Sequence, residues 1–140
     1  MMDLDVSQTT GSCHCGAVQF TVKLTNGLHT ARRCTCSFCQ MRGAVAVSAD
    51  AGGITITQGE YKLTLYQFNT GTAEHYFCSV CGIYTFHKRR SVAGQYGVNV
   101  ACLEGVSPFD FRQVDVLDGQ NHPADGFGFR KVGTLNFVPD

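Results

Sequence analysis

Cys13-His14-Cys15-Gly16 runs directly into Ala17-Val18-Gln19-Phe20-Thr21-Val22-Lys23-Leu24. The second half alternates: Val18, Phe20, Val22 and Leu24 fall on one side, which is the period of a half-buried strand. The first half places two sulfurs near one point, a spacing that suits a tetrahedral ion and strains a disulfide. Gly16 behind the second sulfur permits a tight positive-φ turn and lets backbone N–H groups approach it. The stretch reads as a metal-binding turn feeding a strand.

Working outward, the same alternation recurs in short runs. Residues 44–49, 54–57, 61–68, 74–77 and 83–86 are strand candidates. Residues 95–103 form another, with Tyr96, Val98, Val100 and Cys102 on one side. Phe111, Val114, Val116 and residues 135–138 are weaker signals. Gly52-Gly53, Gly59, Asn69-Thr70-Gly71 and Asp118-Gly119 supply turns. Residues 37–41 are the one plausible helical turn, ended by Gly43. The expectation is an all-β, strand-dominated chain of small antiparallel sheets. At 140 residues, without repeat or linker, it reads as a single domain over 1–140.

Composition bounds the function. Eleven basic and eleven acidic side chains cancel, so bulk attraction to nucleic acid or an anionic membrane is not expected. Only 16% of residues are charged while 44% are hydrophobic, which excludes disorder for most of the chain. Residues 1–10 are polar and acidic, unlike a signal peptide, and no run approaches the roughly 18 apolar residues of a membrane span. A cytoplasmic chain is expected. In that reducing setting clustered cysteines bind metal more readily than they form disulfides.

Seven of the eight cysteines fall into three groups: Cys13 and Cys15; Cys34, Cys36 and Cys39; Cys78 and Cys81. The first and third groups both end in Cys-Gly and lead into a strand candidate, so Cys13, Cys15, Cys78 and Cys81 are assigned to one closed, structural four-thiolate site. Cys34, Cys36 and Cys39 remain as three ligands for a second ion. Three protein ligands with an open position characterise a catalytic metal. Such a site would bind an incoming thiol and lower its pKa. A fourth ligand from Cys102, His29, His75, His87 or His122 would close it instead. A single iron in a four-sulfur electron-transfer site is a further reading that the Cys-x-Cys pair disfavours.

Other features carry less. Arg32 and Arg33 precede the three-cysteine group and Arg42 follows it, which makes them candidate partners for a substrate carboxylate. His87-Lys88-Arg89-Arg90 reads first as a solvated turn and second as an anion site, with His87 the candidate proton-handling residue. Phe127, Phe129 and Phe137 are expected to cover the core. No phosphate loop, dinucleotide fingerprint, serine-nucleophile motif or HExxH occurs.

At three places the chain resembles a known family. Gly11-Ser12-Cys13-His14-Cys15-Gly16-Ala17-Val18, then Cys34-x-Cys36-x-x-Cys39-Gln40, then Phe77-Cys78-x-x-Cys81-Gly82 are similar to motifs of the glutathione-dependent formaldehyde-activating enzyme and centromere protein V family. Asn99-Val100-Ala101-Cys102-Leu103 is similar to a further family stretch, so the motifs span residues 11–103. The resemblance implies a β-tent-like fold with two zincs per chain: a structural one on Cys13, Cys15, Cys78 and Cys81, a catalytic one on Cys34, Cys36 and Cys39. It also implies a carbon–sulfur lyase of the S-hydroxymethylglutathione synthase kind, acting on a small thiol such as glutathione and its formaldehyde adduct. A zinc-stabilised binding or scaffold module without chemistry is the alternative, and metal storage or redox sensing by the three thiols a third reading. Homodimerisation through an exposed strand edge is compatible with so β-rich a chain.

Overall fold

The computed structural model describes residues 3–140. β1 (Gln8–Ser12) and β2 (Gln19–Leu24) form an antiparallel hairpin whose turn holds Cys13 and Cys15. Phe20, Val22 and Leu24 of β2 point into the core with Val18 just ahead of them, as the alternation predicts. Fully burying side chains such as Phe20 and Val22 is worth roughly 1.5–3 kcal/mol each. β1 itself, Gln-Thr-Thr-Gly-Ser, has no apolar alternation and is missed by sequence reading.

β3 (Arg32–Cys34) leads into α1 (Ser37–Arg42), which opens on Cys36 and closes on Gly43 at φ 72°. The Cys36 sulfur accepts the Cys39 N–H, as a capping side chain does at a helix N-terminus. β4 (Ala46–Gln58) joins two expected strands into one of 13 residues. Gly52-Gly53 is therefore no turn. The strand bends there, where a side chain on Gly53 would meet the Lys23 carbonyl oxygen at 2.9 Å, and the β2 ladder carries a bulge between Val22 and Leu24.

β5 (Leu63–Tyr66), β6 (Glu74–Cys78), β7 (Tyr84–Lys88) and β8 (Gln95–Asn99) follow as antiparallel neighbours. β8 stops earlier than the alternation suggests. The Asn99 side chain accepts the Ala101 N–H and starts a 3₁₀ turn over Val100–Cys102, which keeps Val100 and Cys102 buried. β9 (Gln113–Leu117) and β10 (Lys131–Asn136) complete one ten-stranded sheet. Its order is β10-β9-β3-β4-β8-β7-β6-β5, with β2 also on β4 and β1 on β2. The fold is strand-dominated as expected, but the ladders form one open mixed sheet, because β3 and β9 pair in parallel.

Phe20, Val22, Val47, Phe86, Val98 and Val100 lead the core. Phe127, Phe129 and Phe137 do not cover it: they are 63%, 56% and 42% exposed. β10 lies at the sheet edge, exposed along its whole length, and the three rings sit on the segments that flank it. Among the described residues no helix is long and apolar enough to cross a membrane.

Candidate metal centres and cleft

The β1–β2 turn and the β6–β7 turn meet at four sulfurs. Those of Cys13, Cys15, Cys78 and Cys81 all lie within 4.8 Å of one another. Cys15 stands 3.7 Å from both Cys13 and Cys78. A tetrahedral zinc with bonds of about 2.3 Å spaces its sulfurs by about 3.8 Å, whereas a disulfide needs about 2 Å. Backbone N–H groups of Val18 and Val80 donate to the Cys13 and Cys78 sulfurs at 3.3 and 3.4 Å. The Cys81 thiol is brought down to about 6, first by the backbone N–H of Cys15 and then by that of Ile83. Donors aimed at sulfur favour the thiolate form that a metal needs. The donor set fits a zinc ion.

The second group also fits one. Cys34, Cys36 and Cys39 gather their sulfurs within the same 4.8 Å, on the end of β3 and the first turn of α1. The Cys36 N–H donates to the Cys34 sulfur at 3.4 Å and the Cys39 N–H to the Cys36 sulfur at 3.2 Å. Hydrogen bonds from Cys34 and Cys39 hold the Cys36 thiol down to about 2, while its two neighbours and burial push Cys39 up. Three thiols this close cannot all ionise without a cation between them. Among the described residues this group has three members, and no candidate fourth ligand joins it. Cys102 is buried elsewhere, donating to the Tyr84 carbonyl at 3.4 Å, its thiol pushed up to about 12 by burial. His29 pairs with Asp5 at 2.7 Å.

The three sulfurs line a cleft of about 520 Å³. Six of the chain's seven arginines line it too: Arg32, Arg33, Arg42, Arg89, Arg90 and Arg130. The arginines nearest the cysteines in sequence behave differently from one another. Arg42 is engaged: it donates to the Cys39 sulfur at 3.5 Å and to His75 Nδ1 at 3.0 Å, with its guanidinium 3.7 Å from the Tyr84 ring centroid. Its Nε is buried without a partner. Among the described residues Arg32 and Arg33 make no side-chain hydrogen bond and no ion pair; Arg32 lies 6.0 Å from the Phe129 ring.

His87-Lys88-Arg89-Arg90 is not the solvated turn expected first. Lys88 pairs with Glu74, but His87, Arg89 and Arg90 line the cleft. Arg89 is only 6% exposed and donates to Ser48 and Gln95 at 2.6 and 2.8 Å. Burial, then the charge of Arg32, brings it down to about 10. His87 stacks on His75 at 5.0 Å and sits 2.6 Å from the Tyr84 hydroxyl. Burial followed by the charge of Arg42 lowers His75 to about 4 and His87 well below its usual value, so both imidazoles are neutral near pH 7. Gly97 gives His87 its room, since a side chain there would meet the ring at 2.3 Å.

Sequence reading missed one wall altogether. The parallel β3–β9 pair sets the Asp118-Gly119 turn against the three cysteines. A Cβ on Gly119 would stand 2.1 Å from the Cys34 sulfur, and the Gly119 N–H donates to Thr35 Oγ1 at 3.0 Å. The dipeptide is legible as a turn, not as a neighbour of cysteines some 80 residues away.

Residues 8–114 match the family described as glutathione-dependent formaldehyde-activating enzyme. The chain belongs to that family. A Halomonas elongata protein provisionally named a glutathione-dependent formaldehyde-activating enzyme is 35% identical over an 80-residue match that covers 51% of this chain. This chain's match spans 50% of that relative's length. The crystal structure of a Rhodobacter sphaeroides protein is 55% identical, with a TM-score of 0.75 over 76% of this chain and 98% of its own. Both cysteine groups lie inside the matched span, and the cleft lies mostly inside it.

Proposed function

We propose that this chain is a zinc-dependent carbon–sulfur lyase-type enzyme acting on a small thiol and its aldehyde adduct. One observation carries the reading: a three-cysteine group, one ligand short of a tetrahedron, faces a cleft rich in arginine. In this reading Cys13, Cys15, Cys78 and Cys81 hold a structural zinc, and Cys34, Cys36 and Cys39 hold a second. Bound there, zinc would supply a Lewis-acid position that lowers the pKa of an incoming thiol.

The chain's own residues would do the rest. Arg32 and Arg33, without a hydrogen-bond or ion-pair partner among the described residues, suit the carboxylates of the thiol substrate. Arg42 donates to the Cys39 sulfur, and its charge offsets part of the upward push that Cys34, Cys36 and burial give that thiol. His75 and His87 line the cleft as neutral imidazoles that burial and the charge of Arg42 make reluctant to take up a proton, so they suit hydrogen bonding to the substrate rather than holding its proton. In the reaction the substrate sulfur adds to the aldehyde carbon, a C–S bond forms as the carbonyl π bond breaks, and the oxygen takes up a proton. The lyase direction reverses each change. The four-cysteine site lies among apolar neighbours, Val18 and Leu63, and has no part in these steps.

The test is direct. Zinc-loaded protein mixed with glutathione and ¹³C-formaldehyde is expected to speed exchange between free and adduct carbon in NMR spectra by at least about tenfold over buffer. Cys39→Ser should abolish the acceleration while leaving the circular dichroism spectrum intact. Equal exchange in wild type, variant and buffer would replace this reading with that of a zinc-stabilised binding module.

A further inference from the structure

We propose that the cleft is built for a thiol carrying two anionic groups and no free ammonium, so that an N-acylated dicarboxylate thiol binds better than glutathione itself. The thiol part rests on the function proposed above. The charge preference rests on the cleft alone.

Among the described residues two acidic ones line the cleft, Asp118 and Asp125. Both are already taken. Asp118 accepts from Arg130 at 2.7 Å, from the Asn121 side chain at 3.1 Å and from the backbone N–H groups of Gln120 and Asn121. Asp125 pairs with Arg90. No lining carboxylate is therefore left to receive a substrate cation.

The cations do not cancel in the same way. With Arg90 and Arg130 paired, four arginines face the cleft without a carboxylate. Arg89 and Arg42 are held by neutral or sulfur partners. Arg32 and Arg33 have no hydrogen-bond partner among the described residues. Two free guanidinium groups match two carboxylates, and guanidinium takes a carboxylate in a bidentate fork.

Glutathione brings two carboxylates and one ammonium, and the ammonium shares a carbon with one of them. Whichever arginine takes that carboxylate brings the ammonium into its own field, in a recess where charges are screened less than in open water. An acyl group on that nitrogen removes the repulsion and leaves the thiol and both carboxylates unchanged.

Four ligands separate the two claims: glutathione, its N-acetyl derivative, and the serine-for-cysteine version of each. Binding to zinc-loaded protein is measured by calorimetry at low and at physiological salt. The acetylated member of each pair should bind at least about tenfold more tightly at low salt. The advantage should shrink with added salt and fall below about threefold in Arg33→Gln. Equal or tighter binding of the free amines overturns the inference, as does the absence of binding by all four. If the serine peptides bind as tightly as the thiols, the amine preference is still read from that pair, and it is the thiol function that fails.

Discussion

The two cysteine groups share a ligand chemistry and differ in everything around it. Cys15 and Cys78 lie 63 residues apart, so the four-cysteine group joins two distant hairpin turns. Cys13 and Cys78 are buried beside Val18. Cys34, Cys36 and Cys39 lie within one short segment, half-buried beside a charged cleft. Closing a long loop removes far more freedom from the unfolded chain than ordering six residues does. A metal held at the first group would therefore act on folding. At the second it would have little chain to close and a cleft to serve.

Ligand replacement tests that contrast with the largest effect. Cys78→Ser should lower stability by roughly 4 kcal/mol, on the order of 15 °C in Tm, and drop the zinc count. Cys39→Ser should also lose a zinc but shift Tm by less than about 4 °C, within roughly 1 kcal/mol. Thermal unfolding combined with native mass spectrometry reads both quantities. Equal losses of stability would erase the distinction between a staple and a reactive site.

A smaller effect sharpens it. Gly119→Ala places a methyl group on the Cys34 sulfur, 2.7 Å from the Cys36 backbone nitrogen, and the turn must move. Zinc affinity at the three-cysteine group should fall on the order of tenfold to a hundredfold, as when a supporting residue of a metal site is displaced. The four-cysteine group should keep its ion. Competition with a chromophoric chelator separates the two sites, and a uniform loss would show that Gly119 supports the fold rather than the site.

Gly119 also marks the limit of what the sequence makes legible. Period-two alternation at Val18, Phe20, Val22 and Leu24 is a local property, and β2 follows from it. The Cys-Gly pairs are local too, and the four-cysteine group assembles where they predict. Pairing between β3 and β9 is not local: nothing in Arg32–Cys34 states that Asp115–Leu117 will lie beside it in parallel. Every feature that depends on that pairing escapes sequence reading, including the Gly119 wall. Arg89 looks like part of a solvated turn because its partners, buried Ser48 and half-buried Gln95, come from other strands. The C-terminal phenylalanines mislead for the converse reason. Their apolarity suggests a core, while edge placement leaves β10 uncovered.

Arg42 gives the smallest and most specific effect. The Cys13 and Cys78 sulfurs are supported by backbone N–H groups, which every side-chain substitution except proline leaves in place, whereas Cys39 is supported by a guanidinium. That guanidinium also donates to His75 and lies 4.8 Å from the Phe38 ring as well as over Tyr84. Lysine keeps the charge but cannot donate from a planar fork to sulfur and imidazole while stacked on a ring. Arg42→Lys should weaken metal binding at the three-cysteine group about fivefold, near 1 kcal/mol, and Arg42→Met about tenfold to thirtyfold. In protein loaded with cobalt, the sulfur-to-metal charge-transfer band should shift progressively in that order, because the band responds to charge held at the Cys39 sulfur. An unchanged band in Arg42→Met would mean that Cys39 does not feel the guanidinium. The arginine would then be free to serve the substrate, and the two cysteine groups would be supported alike, by backbone alone.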